Sequence, residues 1–185
     1  MSVPARRATY RHGNLFEAAR DAAYAQVAEA GMAALSLRQV AASVGVAHRS
    51  LYNHFDNREA LLDAVAAEGF RRLAAAVAPM PDARRFTDAY LRFALAHPRI
   101  YALMNSRPHG SMKDNPPLQT AAHLVITEAM RVFCHDGQDS EARRRTVMKA
   151  YIILSGGIAQ YAAGILDLPD DEALIAELTA MTQAL

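Results

Sequence analysis

Residues 36–58 read SLRQVAASVGVAHRSLYNHFDNR, and the pattern inside this stretch decides the fold. Ser36 suits a helix N-cap, and Leu37, Val40, Ala41 and Val44 follow it at the three-to-four spacing of one helical face. Gly45 ends that run, in a turn that needs a residue tolerant of positive φ. A second short helix is expected from Ala47 to His54, pinned by Val46 and Leu51. Ala41 is small where two helices would cross. His48, Arg49, Ser50 and Asn53 are the polar positions that the second helix would turn outward. This is the layout of a helix-turn-helix, although the spacing alone fits an ordinary helical hairpin with a glycine turn equally well.

Outward from this stretch the chain reads as helix throughout. Strand-like alternation is missing and alanine is abundant. Toward the N-terminus, Asn14 and Glu17 have capping-box spacing, and the helix they open stops at Gly31. Toward the C-terminus, Asp56 and Glu59 have the same spacing ahead of a long helix. That helix carries Leu62, Ala66, Phe70, Leu73 and Val77 on one stripe, and Pro79 and Pro81 end it. Further helices are expected near 82–96, 99–105, 118–135, 140–166 and 170–184, with a loop over 106–117. The fold class is all-α: a three-helix head over residues 1–57 that holds the helix-turn-helix pattern, then a separate helical body over 58–185.

Composition narrows the function. The 185 residues are long enough to bury a core, and the net charge is only +1. Residues 1–58 hold seven arginines against four acids, so the basic charge gathers at the reading end, as a polyanion-binding surface requires. Cys134 is the only cysteine, which fits a reducing cytoplasm, and it reads better as inert filler than as a redox sensor. The opening MSVPARRATYRHGN lacks the apolar core of a signal peptide. The longest uncharged stretch, Ala150 to Leu166, contains Ser155, Gly156, Gly157 and Gln160 and is short for a membrane span, so it reads as a buried helix. No metal-ligand spacing, phosphate-binding loop, dinucleotide fingerprint or hydrolase elbow is present. The sequence therefore calls for no cofactor, metal or catalytic residue, and an enzyme is the weakest of the function classes.

The decisive residues are four short runs: Ser36-Leu37-Arg38, Val44-Gly45-Val46, Leu51-Tyr52-Asn53-His54-Phe55 and Asn57-Arg58-Glu59-Ala60-Leu61. With these the sequence resembles the TetR family of repressors over about 50 residues, from Tyr10 to Leu62. Ala47 departs from the family, which often has a capping Ser or Thr there. The resemblance implies that Arg38 reaches a base or phosphate, that His48, Arg49 and Ser50 read bases, and that Tyr52, His54 and Arg58 anchor phosphates. Asn53 belongs to the same outward set, and Arg6, Arg7 and Arg11 would form an arm near the groove. Leu51, Phe55 and Val40 read as core.

For the rest of the chain the resemblance implies architecture more than chemistry: a small-molecule pocket, and a homodimer in which the last two long helices meet those of a second subunit. Gly156, Gly157, Ala159 and Ala163 would let helices approach closely in that bundle. The runs Tyr10-Arg11-His12-Gly13-Asn14-Leu15 and Leu95-Ala96-His97-Pro98-Arg99-Ile100-Tyr101 resemble a TetR subgroup named for a C-terminal Trp-His-Gly signature. Here the matching stretch has Tyr151 and then Ser155-Gly156, with the Trp and His replaced. Candidate pocket residues are Phe93, Tyr101, Met104, Met112, Phe133, Tyr151 and Tyr161, each of which would equally serve as plain core. His97, Asn105, His109 and His123 are candidate polar anchors that could as well cap helices or face water. A largely apolar effector of unknown identity, releasing a repressor from double-stranded operator DNA, is the function implied. The alternative is an architectural DNA-binding protein with no effector.

Overall fold

The computed structural model describes residues 15–107 and 113–185. Among the described residues the regular structure is helical throughout. They fall into two compact units that divide between Val65 and Ala66.

In the first unit, helix α1 (Leu15–Ala30) buries Leu15, Ala19, Ala23, Tyr24 and Val27, one face at near four-residue spacing. The expected cap Asn14 lies outside the described residues. Gly31, at φ 82°, turns the chain out of α1 into a single 3-10 turn, Met32–Ala34, which the sequence reading does not anticipate. Ser36 then caps α2 (Leu37–Ser43), its Oγ accepting from the Gln39 amide at 3.4 Å. Gly45 sits at φ 72° in the turn that follows, and a Cβ there would meet nothing within 4 Å. The turn needs glycine for its backbone conformation rather than for space.

Helix α3 (His48–Leu51) is shorter than the expected span from Ala47 to His54. Beyond Leu51 the pattern tightens to three-residue bonds: Tyr52 N to Arg49 O at 3.2 Å and His54 N to Leu51 O at 2.9 Å. Buried Leu51 and Phe55 hold this segment, and the Phe55 ring stacks on Phe16 at 4.9 Å between centroids. Helix α4 (Arg58–Val77) opens on Asn57, whose Oδ1 accepts from the Ala60 amide at 2.9 Å. Asn57 thus caps it rather than the expected Asp56. It ends two residues before Pro79, as expected.

The second unit continues with α5 (Ala83–Ala96), α6 (Pro98–Asn105), α7 (Pro116–Phe133), α8 (Ser140–Ala162) and α9 (Asp171–Gln183). Four of these starts are capped by a side chain: Asp82, Asn115, Asp139 and Asp170 each accept from an amide three residues on. The expected loop over 106–117 loses its last two residues to α7, because Pro116 and Pro117 occupy first-turn positions where no amide donor is needed. Helix α8 stops at Ala162, short of the expected 166, where Gly164 takes φ 69°.

Close approaches set the packing. A Cβ on Gly69 would come within 2.8 Å of Met104, so α4 and α6 touch nearly backbone to side chain there. A Cβ on Gly157 would come within 2.5 Å of Leu178, so this glycine admits α9 of its own chain. Gly156 meets nothing within 4 Å. Inside, Thr87 and Thr182 share a buried hydroxyl contact at 3.1 Å. Glu128 is lashed to Arg131 at 2.6 Å and accepts the Met80 amide at 2.8 Å, and these bonds, the arginine's first, hold its carboxyl below the usual range. The uncharged stretch is buried along one face only: Ala150, Leu154 and Ile158 face inward, while Ile152, Ala159 and Ala163 are exposed. Within a single chain the stretch is therefore only half covered. No described helix is long and apolar enough to cross a membrane.

Candidate functional site

The reading face is built by α2 and the segment from His48 to His54. Arg38 on α2 is exposed, and so are His48, Arg49, Asn53 and His54; Ser50 is half-buried and Tyr52 is exposed. The structure therefore exposes six of the eight sequence-selected residues on one small unit, with Ser50 and Arg58 half-buried. Among the described residues, Arg38 and Arg49 form no ion pair, so both guanidiniums keep their forks for another partner. The His48 ring meets the Tyr52 ring edge-on at 5.3 Å, one helical turn apart. Ala47, the N-cap residue, makes no side-chain cap bond.

The Arg58 side chain is already engaged within the protein. Its Nε donates to the Leu35 carbonyl at 3.2 Å, a terminal nitrogen donates to the Met32 carbonyl, and the other meets Glu59 at 3.2 Å. The guanidinium clasps the 3-10 turn against the start of α4. Three of its donors are thus engaged within the protein, two of them on backbone carbonyls. Nothing in the residue's own spacing signals this, because the turn that it clasps is not legible in the sequence. Arg6, Arg7 and Arg11 lie outside the described residues.

The second unit holds a cavity of about 430 Å³ between α4, α5, α6, α7 and α8. The α7 wall is Ala122, Val125, Ile126, Ala129, Met130 and Phe133, a single helical stripe. The α8 wall is Arg144, Val147, Met148, Tyr151 and Leu154, again one stripe. Phe70 and Leu73 come from α4, and Phe86 and Tyr90 from α5. Tyr101, Met104 and Asn105 come from α6, followed by Arg107 just beyond it.

A polar seam crosses this apolar space. The Tyr90 and Tyr101 hydroxyls lie 3.1 Å apart, and the Tyr151 hydroxyl donates to Asn105 Oδ1 at 3.0 Å. Burial, and then the neighbouring Tyr101, push the Tyr90 phenol well above its ordinary value; burial likewise raises Tyr101. Both are neutral at physiological pH and able to donate. Cavities of this size and lining are the usual form of small-molecule sites.

Of the sequence-selected pocket residues, Tyr101, Met104, Asn105, Tyr151 and Phe133 line this cavity. Four others do not. Phe93 packs instead on His97, its neighbour one turn away, with ring centroids 4.8 Å apart. His97 is exposed at the junction of α5 and α6, and His123 is exposed on α7. Tyr161 donates to Asp171 at 2.9 Å, joining α8 to α9 away from the cavity. Met112 and His109 lie outside the described residues. Sequence reasoning missed Phe86, Tyr90, Arg107 and Arg144; the three-to-four stripe on α8 was a usable signal for Arg144. The Cys134 thiol is pushed up by burial and lies 3.7 Å from the Arg143 carbonyl, an unreactive setting.

Comparison with known proteins agrees with both halves. Residues 19–65 match the model of bacterial regulatory proteins of the tetR family, and residues 83–182 match that of the tetracyclin repressor-like C-terminal domain. A protein of unknown function from Rhodococcus sp. RHA1 is 30% identical, with a TM-score of 0.74 over 97% of this chain and 99% of the other. A TetR transcriptional regulator from the same organism is 19% identical over 92% of this chain and 95% of its own, with a TM-score of 0.61. A TetR substitution variant from Acinetobacter baumannii AYE, solved in complex with minocycline, is 20% identical over 95% and 94%, with a TM-score of 0.63. The last two likenesses are of fold. No curated protein is similar enough to match the chain. The matched C-terminal domain alone spans more than half of the sequence, and the chain belongs to the tetR family of bacterial regulatory proteins.

Proposed function

We propose that this regulator is a cytoplasmic homodimeric repressor, not an enzyme, that binds a double-stranded operator and is released from it by a small, largely apolar ligand. The cavity of about 430 Å³ carries this reading. An architectural DNA-binding protein has no use for an aromatic-lined space of that size crossed by neutral hydroxyl donors. The minocycline complex of the Acinetobacter baumannii relative is a precedent for a ligand in this fold.

On the DNA side, Arg49 and its neighbours His48 and Ser50 read base edges, since side chains at the start of such a helix reach into the major groove. Tyr52, Asn53, His54 and Arg38 position the head on phosphates. Arg58 is left out of this set because its guanidinium already donates to Leu35 and Met32. The dimer forms through α8 and α9, whose exposed faces carry Met148, Ile152, Ala159, Ala163 and Met181. Apolar surface of that extent on a soluble chain is usually covered.

The test is an operator selected from random duplexes, followed by titration with and without candidate effectors at fixed salt. A ligand that both raises the melting temperature and weakens operator binding is expected. A hundredfold loss corresponds to a coupling of about 2.7 kcal/mol, within the usual allosteric range. A broad apolar panel that changes neither property would overturn the ligand-responsive reading.

A further inference from the structure

We infer that the cavity is built for an apolar molecule ending in a carboxylate, with the Arg144 guanidinium receiving that head. The inference rests on the reading of this cavity as the effector site and adds the ligand's chemical class. Three consecutive arginines lie in the first half of α8, and their surroundings differ. Arg145 is paired with Glu141 at 2.5 Å, one turn back. Arg143 donates from Nε to the Gln138 carbonyl at 3.3 Å. Arg144 lies on the cavity stripe with Val147, Met148 and Tyr151, and among the described residues it forms no ion pair.

Arg107 lines the same cavity. Among the described residues no aspartate or glutamate does. Among the described residues of the wall, Arg144 therefore stands as a cation with no carboxylate beside it. Beside it stand neutral hydroxyls and the Asn105 amide, and the rest of the described lining is apolar apart from Arg107. A guanidinium fork matches a carboxylate in two parallel hydrogen bonds, and the match strengthens where apolar walls exclude water. A neutral apolar ligand would leave that fork without a partner from the ligand. A cationic one would meet like charge with nothing to offset it.

Calorimetric titration of the purified full chain tests this with two acids, decanoate and phenylbutyrate, each beside its neutral amide. The two acids separate an alkyl body from an aryl one. At neutral pH at least one acid is expected to bind about ten-fold or more tightly than its amide, the discrimination that a charge-assisted bond provides. In Arg144→Gln the preference should shrink to about two-fold or less, and Arg144→Lys should retain part of it. Arg144 is exposed, so the melting temperature of each variant should stay near that of the parent. The acid–amide comparison in the parent protein stands whether or not a variant folds.

Equal binding of acid and amide, binding of neither, or a preference that survives Arg144→Gln would each overturn the inference. Operator titration separates it from the switch reading. An acid that binds through Arg144 but leaves operator affinity unchanged keeps the site and removes the switch. An amide that releases the operator where the acid does not keeps the switch and removes the carboxylate.

Discussion

The guanidinium of Arg58 donates from Nε to the Leu35 carbonyl at 3.2 Å and from a terminal nitrogen to the Met32 carbonyl, closing the 3-10 turn onto the start of α4. Arg58→Met should lower stability by ~1–3 kcal/mol, the usual worth of hydrogen bonds from a charged donor. It should leave the salt dependence of operator binding as it was. A residue touching phosphate would flatten that dependence by about one unit in the log–log slope. Chemical denaturation together with operator titrations at several salt concentrations would decide between the two roles.

Arg49 and Tyr52 lie three residues apart on the reading face and should fail differently. Arg49→Ala is expected to cost about 1–3 kcal/mol and to relax preference at one base pair per half-site. Tyr52→Phe keeps the ring that meets His48 and removes only the hydroxyl. Its affinity should fall by a similar factor on matched and single-base-altered operators, because phosphate contacts carry no direct sequence information. Full discrimination at every position in Arg49→Ala would assign base reading elsewhere.

Ala159 is exposed on α8, on the face proposed to meet a second copy. Ala159→Arg would bury an unpaired charge in that interface and should cost several kcal/mol of association. Sedimentation should then find monomers at concentrations where the parent is dimeric. An undisturbed dimer would move the interface to another surface.

The raised Tyr90 and Tyr101 phenols give a pH dependence with a fixed sign. Their folded pKa values lie above the ordinary 10.0, so the unfolded chain releases these protons first as pH rises. Stability from this source is whole below about pH 10 and drains away above it. Tyr90→Phe should therefore lose less stability between pH 9 and 11 than the parent, measured by denaturant unfolding at each pH (both limits about one unit either side of the phenol's usual value). An equal loss in both proteins would place the titrating group elsewhere.

Gly157 and Gly156 are adjacent and should respond oppositely to alanine. At Gly157 the new Cβ would press to 2.5 Å on Leu178, which is itself buried, and a loss of about 1–3 kcal/mol is expected from overpacking. At Gly156 nothing in the chain lies within 4 Å, so the better helix propensity of alanine should leave stability unchanged or raise it by up to ~1 kcal/mol. Thermal unfolding of both variants provides the comparison.

The helices were legible because their ends carry local chemistry. Ser36 caps α2 with its hydroxyl, and Gly45 turns the chain because it has no Cβ to resist a positive φ. Asp56 misled because two candidate caps stand side by side, and only the backbone geometry shows Asn57 reaching the Ala60 amide. In the cavity, Tyr101, Met104, Asn105 and Tyr151 were legible as large or polar groups on amphipathic helices. Tyr90 was not, since its partner Tyr101 sits eleven residues away on the next helix and the pair exists only once α5 and α6 pack. Gly156 and Gly157 are identical to a sequence reader; the approach of Leu178 to one of them is a tertiary fact.

Helix α3 is four residues long and has no side-chain cap, far below what a helix needs to persist by itself. Its shape is lent by Leu51 and Phe55, which are buried, while His48, Arg49, Asn53 and His54 face solvent. The residues that keep the segment folded and those that would choose an operator are thus separate sets. Lineages carrying this head could exchange the outward side chains freely and acquire new binding sites without eroding the fold. A close paralogue could diverge in target genes long before it diverged in structure.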